Sequence, residues 1–205
     1  MIKYLFSFLL ALAALTLLVV YASIHGSPSM IVGFSLYGAC LTLFYLLRAL
    51  YVHSSTQNKL SLLKLDHVMI YLLTAATYTP VALMLPNRAW GWTIFGVVWG
   101  VFLLGSVLRV SEVVDKKWTT LFVYSALVIL DLIAFTEVHD FLSEKAVLWL
   151  SLGGALYLLE TYLVVFRPKF LKFKQVDSYE NLALPFMILA SFCHFWAMLK
   201  HMILL

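Results

Sequence analysis

The chain has 205 residues, of which 63% are apolar and 12% are charged, and its formal net charge is +4 at pH 7. Soluble globular domains have about 45–50% apolar and about 25% charged residues. The composition therefore excludes a soluble enzyme domain, a disordered chain and a nucleic-acid-binding domain. It predicts an all-α integral membrane protein whose partners are membrane lipids.

Seven apolar runs follow one another along the chain, and each is near the length of about 20 residues that an α-helix needs to cross a bilayer. Turn-forming residues separate them, as at His25–Ser29 and Pro86–Arg88. Cys40 and Cys193 lie within these runs and are interpreted as buried apolar residues. The sequence predicts one domain, residues 1–205, with seven transmembrane helices over residues 2–22, 31–52, 66–85, 92–110, 119–138, 146–166 and 183–203.

Lysine and arginine are distributed unevenly over the two sides of this arrangement. If the N-terminus is cytoplasmic, the cytoplasmic side has Lys3, Lys59, Lys64, Arg109, Lys116, Lys117, Arg167, Lys169, Lys172 and Lys174. The opposite side has only Arg88, Lys145 and Lys200. Because cytoplasmic loops have an excess of lysine and arginine, the sequence predicts a cytoplasmic N-terminus and an external C-terminus.

Ionisable side chains at membrane depth are functional candidates, because a charge inside a span is costly unless it is paired or hydrated. Arg48 lies near the end of the second span, Asp66 opens the third, Glu160 lies in the sixth, and Glu180 precedes the seventh. The predicted topology gives these four residues a similar depth in the inner leaflet, where an arginine can bind a carboxylate at two points. A polar network of these residues is therefore predicted. In the alternative, Arg48 extends to the membrane interface and the carboxylates are hydrated among the headgroups.

Asp131, in the fifth span, lies deeper and needs a partner or a water-filled cavity. His194, midway along the seventh span, is typical of a neutral, hydrogen-bonded histidine of the core. Together with Glu160 these two residues would form a relay. A proton or ion transporter is thus one possible function.

The third span contains the stretch Leu65–Pro80, which reads LDHVMIYLLTAATYTP. This stretch resembles the signature of the hemolysin III branch of the progestin and adipoQ receptor superfamily. Shorter stretches agree with it at Ser35–Gly38, Gly153–Tyr157 and Ser191–Phe195. The resemblance implies seven helices with a cytoplasmic N-terminus, in agreement with the charge count, and a location in the bacterial inner membrane.

Better-known members of this superfamily bind zinc near the cytoplasmic leaflet. The resemblance implies one histidine at the end of the second helix in an SxxxH motif, two at the start of the seventh in an HxxxH motif, and a third-helix aspartate that holds a metal-bound water. In this chain Arg48 and Val52 are at the SxxxH positions, Glu180 and Leu184 are at the HxxxH positions, and Asp66 is retained. Valine and leucine have no metal-binding atom, so no zinc or other cofactor is expected.

The leading interpretation is a hemolysin III-like protein in which an ion-pair network has replaced the zinc site. Its role would be non-catalytic, in membrane homeostasis, lipid sensing or membrane perturbation. The alternative is a zinc-dependent, ceramidase-like lipid amide hydrolase with a displaced metal site. That site would use His53, Asp66 and Glu180, with His67 as a further candidate.

Overall fold

The computed structural model of the chain describes residues 2–54, 56–111, 113–168 and 176–202, and every regular element in those ranges is helical. The α-helices are, in chain order, α1 Ile2–His25, α2 Pro28–His53, α3 Thr56–Met84, α4 Arg88–Ser111, α5 Lys116–Phe141, α6 Glu144–Thr161 and α7 Val176–Trp196. A π-helical segment continues α6 over Tyr162–Phe166, and another continues α7 over Ala197–Met202. The predicted all-α fold is confirmed.

Six helical segments in the described ranges are long and apolar enough to cross a membrane. They are Lys3–His25, Pro28–His53, Lys64–Met84, Arg88–Ser111, Glu144–Phe166 and Asn181–Met202. The fifth helix has 26 residues, but its described apolar stretch, Lys117–Leu130, is shorter than a span. The chain is thus a multi-pass integral membrane protein, and the span predicted over residues 119–138 stays a prediction.

Polar residues determine where two of the helices begin. Ser27 Oγ accepts a hydrogen bond from the Met30 N–H. Pro28 occupies the first position of α2, where the backbone N–H that proline lacks would have no partner within the helix. Ser143 caps α6 in the same way, because its Oγ accepts from the Ala146 N–H at 3.2 Å. The turn residues that separate the apolar runs in the sequence therefore act as helix caps.

The described residues form two compact units, one within 2–141 with α1–α5 and one within 142–202 with α6 and α7. In the first unit, α2 and α3 are antiparallel. Arg48 of α2 contacts Asp66 in the first half of α3, whereas Gly33 of α2 lies against Pro80 near the end of α3.

The third, fourth and fifth helices share an apolar core in the first unit. It consists of Tyr71, Ala75, Ala82 and Leu85 from α3, Ile94 and Val98 from α4, and Val123, Leu127 and Leu130 from α5. The helix α4 is antiparallel to α3, because Gly91 lies against Ala82 and Gly105 lies against Tyr71. The end of α4 therefore lies at the same end of the unit as the beginning of α3 and the end of α2.

The second unit is an antiparallel helix pair. His194, late in α7, hydrogen-bonds to the Leu150 carbonyl early in α6. At the other end of the pair, Val164 of the π-helical segment packs in a cluster with Ala183 of α7. This arrangement brings polar residues of the two helices together along their common face.

Candidate functional site

A buried ion pair joins α2 to α3 in the first unit. The Arg48 Nη1 donates a hydrogen bond to Asp66 Oδ2, and both residues are 2% exposed. The antiparallel packing of α2 and α3 brings the two side chains to the same level. This is one of the pairs that the sequence analysis considered.

The two charges compensate each other where neither reaches water. Removing one partner of a buried ion pair is strongly destabilising, whereas replacing both by apolar residues is often close to neutral. The clearest physical effect of the Arg48–Asp66 contact is therefore a constraint on register, because α2 and α3 must keep the two side chains opposite each other.

The residues of the proposed displaced metal site differ in their surroundings. His53 is the last residue of α2 and is exposed, whereas Asp66 is buried. Among the described side chains, no group of three or more His, Cys, Asp or Glu residues is arranged to hold a metal ion. The side chains of His67, Asp131 and Glu180 lie outside the described part of the structure. The contacts predicted for them stay predictions.

In the second unit, His194 is buried against α6. Its Nε2 lies 3.1 Å from the Leu150 carbonyl oxygen, so Nε2 is the donor in this hydrogen bond. Gly153 provides the space, because a Cβ at this position would be 2.4 Å from His194 Cδ2. The Nδ1 atom is shielded and has no hydrogen-bond partner within the described ranges. This is the geometry of a neutral, hydrogen-bonded histidine of the core.

Further polar residues of α6 and α7 meet one turn away from His194. Tyr157 Oη lies 2.7 Å from Ser191 Oγ, and Ser191 donates to the Met187 carbonyl oxygen at 2.9 Å, so Tyr157 donates to Ser191. Glu160 is 2% exposed and accepts a hydrogen bond from Thr161 Oγ1 at 3.4 Å. Polar groups therefore occupy about two turns of α6, and the α6 part of the proposed relay is buried.

Comparison with known proteins identifies the family of the chain. The family model described as haemolysin-III related matches residues 2–195. The chain belongs to the haemolysin III family. It is 34% identical to the hemolysin-3 homolog of Bacillus subtilis (strain 168) over 161 residues, which are 78% of this chain and 75% of that protein. It is 32% identical to hemolysin-3 of Bacillus cereus over 151 residues, 73% of this chain and 68% of that protein. No solved structure matches the chain.

The residues of this haemolysin III-family chain do not fit the zinc site that the superfamily resemblance implies. Val52 and Leu184 have no ligand atom, and Leu184 is buried in α7. The Asp66 carboxylate contacts the guanidinium of Arg48, and this cation would repel a second cation at the same place. The resemblance to the family is confirmed, but the family's ligand set is not present in the sequence.

A second polar contact in the first unit was not predicted from the sequence. Tyr71 Oη lies 3.2 Å from Thr120 Oγ1 and joins α3 to α5. Arg109 of α4 lies within electrostatic range of Tyr71. The charge count treated Arg109 only as a cytoplasmic charge. Arg109 also lies within the span predicted over residues 92–110, two residues from the end of α4, which is the sequence signal for a charge near the membrane.

Proposed function

We propose that this haemolysin III-family protein has a non-catalytic role in membrane homeostasis, lipid sensing or membrane perturbation, with an ion pair at the place of the superfamily's metal. The proposal rests on the Arg48–Asp66 contact, in which the retained residue of the zinc motif binds a guanidinium. The name hemolysin-3, which two relatives have, favours membrane perturbation among these roles.

The chemistry of hydrolytic zinc supports this assignment. Such a site needs several protein ligands and an open coordination position that water and substrate can reach. Asp66, which in the superfamily would hold the metal-bound water, is 2% exposed and accepts a hydrogen bond from Arg48. A buried cation that is part of the protein therefore has the electrostatic effect that a metal would otherwise have on this carboxylate.

Purified protein should contain far less than one zinc ion per chain and should release no fatty acid from ceramide, because the ligand positions are occupied by Val52 and Leu184. Metal content is measured by inductively coupled plasma mass spectrometry on protein purified without chelator. Fatty-acid release is measured in the same preparation. The control is His25→Ala, which removes an exposed histidine at the end of α1 and reports zinc bound adventitiously.

Near-stoichiometric zinc that is lost in Asp66→Ala and kept in His25→Ala would overturn this proposal. It would favour the displaced site, with His53 and Glu180 as the other ligands. Ceramide hydrolysis lost in the same Asp66→Ala variant would then identify the protein as an amide hydrolase.

We also propose that all seven helices cross the bacterial inner membrane, with the N-terminus cytoplasmic and the C-terminus external. At 1.5 Å per residue, the 26 residues of α5 extend over about 39 Å, which exceeds the hydrocarbon thickness of about 30 Å. The antiparallel packing of the first unit supports the orientation. Because of this packing, Arg109 at the end of α4 and Lys64 in the first half of α3 lie on the same side. Arg88 lies at the opposite end of α4.

Reporter fusions test both the orientation and the number of spans. A reporter after Leu205 and one inserted in the Pro86–Arg88 turn should both be external, because four spans separate them in the proposed topology. A reporter inserted before Lys116 should be cytoplasmic. Alkaline phosphatase activity marks external positions, and green fluorescent protein marks cytoplasmic ones. Signals on opposite sides for the first two reporters would mean that one of the helices α4–α7 does not cross the membrane.

A further inference from the structure

Arg109 lies two residues from the end of the helix Arg88–Ser111, which is long and apolar enough to cross a membrane, and forms no ion pair within the described part of the chain. Its side chain is half-buried, and its Nε is shielded without a hydrogen-bond partner among the described residues. The same holds for Ser106 Oγ, one turn earlier on α4. Because a charge within a span is costly unless it is compensated, Arg109 requires an anion or water beside it.

Hydroxyl groups of α3, α4 and α5 lie at the same end of the first unit as Arg109. The Tyr71 ring lies against α4 at Gly105, where a Cβ would be 3.5 Å from Tyr71 Cδ2. The ring extends from there so that Tyr71 Oη reaches Thr120 Oγ1 at 3.2 Å. Ser106 adds a third hydroxyl next to Gly105 in the sequence. A guanidinium with several hydroxyl donors has the composition of an anion-binding site, and the oxygens of a phosphate, like those of a carboxylate, match the arginine fork.

Large apolar side chains are exposed near the end of α4 and the beginning of α5. Val107 and Val110 of α4, Val113 of the following turn and Trp118 of α5 are each more than half exposed. Exposed valines are expected where a helix faces lipid, and tryptophan is enriched at the membrane interface. A ligand at Arg109 would therefore lie between the cationic guanidinium and a lipid-facing surface. This favours a phosphate that is attached to acyl chains over a soluble phosphate.

We propose that Arg109 binds the phosphate of an anionic phospholipid, such as phosphatidylglycerol, at the end of the first unit where α4 ends and α5 begins. The acyl chains lie along the exposed valines of α4. At the same end, Lys117 and Asp115 are both exposed and have opposite charges, so Arg109 is the cation that would bind the phosphate. This site goes beyond the proposed function and does not depend on whether Asp66 binds a metal.

Lipid binding to the delipidated full-length protein tests the site. The protein in nonionic detergent is titrated with dioleoyl phosphatidylglycerol and with dioleoyl phosphatidylcholine, and bound lipids are counted by native mass spectrometry. Wild-type protein should prefer phosphatidylglycerol about fivefold, the ratio that about 1 kcal/mol for one arginine near an anionic headgroup gives. Arg109→Gln should abolish this preference, and Arg109→Lys should retain part of it. The matched control is Arg88→Gln, which removes an exposed arginine at the other end of α4 and should leave the preference unchanged.

Equal binding of the two lipids by wild-type protein would overturn the proposal, as would an equal loss in Arg109→Gln and Arg88→Gln. Glycerol 3-phosphate should not displace phosphatidylglycerol at equal concentration, and displacement would mean that the site binds a soluble phosphate. Glu112→Gln should leave the preference unchanged within about twofold. If Glu112→Gln raises the preference for phosphatidylglycerol more than twofold, and this rise disappears when Arg109→Gln is added, Glu112 neutralises Arg109 in the native protein. That result would contradict the proposal.

Discussion

Arg48→Met should lower the free energy of unfolding by about 3–5 kcal/mol, the usual effect of removing one partner of a buried ion pair. Methionine keeps an unbranched apolar stem similar to that of arginine, so the substitution mainly removes the guanidinium. Asp66 would then keep its carboxylate at 2% exposure without the cation that compensates it. Reversible unfolding in mixed micelles of rising sodium dodecyl sulfate content, followed by circular dichroism, measures the change.

The double variant Arg48→Met with Asp66→Leu should be much closer to wild-type stability than Arg48→Met alone, because apolar replacement of both partners is often nearly neutral. The cycle of four proteins isolates the interaction between the two side chains. In Arg88→Met, which removes an exposed arginine that donates to the Leu83 carbonyl oxygen at 2.8 Å, stability should change by about 0.5 kcal/mol or less. Strict additivity of the Arg48 and Asp66 substitutions would contradict an ion pair and leave only packing of the arginine stem.

Gly153→Ala should lower the free energy of unfolding by about 1–3 kcal/mol, because the added methyl group overpacks a filled contact. The new Cβ would be 2.4 Å from His194 Cδ2 and 3.1 Å from the Ala190 carbonyl oxygen. The imidazole ring cannot move away without breaking its hydrogen bond to Leu150. The matched control is Gly154→Ala, where a Cβ meets nothing within 4 Å and alanine favours the helix by up to about 1 kcal/mol.

The same substitution in a second background identifies the source of the strain. When Gly153→Ala is introduced into His194→Ala, its destabilising effect should be much smaller, because removal of the imidazole leaves space for the methyl group. Both pairs of proteins are compared by the same detergent unfolding experiment. A destabilisation of equal size in the two backgrounds would show that the Ala190 backbone, and not the His194 ring, is what Gly153 accommodates.

The fold class and the Arg48–Asp66 contact could be predicted because both follow from coarse physical rules. Apolar runs of about 20 residues form helices, and alternate crossing brings the end of the second helix beside the beginning of the third. Two of the helices nevertheless begin well before their predicted spans, α3 at Thr56 and α7 at Val176. Hydropathy measures the apolar part of a helix, whereas the hydrogen-bonded helix continues into the polar residues around it.

The contacts of His194 with Leu150 and of Tyr71 with Thr120 could not be predicted in the same way. Both depend on how far each helix is rotated about its own axis. In a soluble helix the apolar stripe indicates this rotation, but in a membrane the lipid-facing surface is as apolar as the core. For the same reason, the sequence identified Gly153 only as part of a stretch that resembles the family, and did not predict what it contacts. Its contact with the His194 ring requires the register of α6 against α7.

The π-helical segments after Thr161 and after Trp196 change the periodicity of α6 and α7. A π-helix closes its hydrogen bonds between residues five apart, one more than in an α-helix. The angular position of each later side chain is therefore shifted relative to the α-helical part, so residues on the two sides of each transition belong to different helical wheels. In a cysteine-accessibility scan along either helix, the periodic pattern of exposed positions should therefore shift at the π-helical segment, and the residues before and after it should be fitted separately. A single-residue insertion or deletion relative to another family member is most easily accommodated at these same two segments.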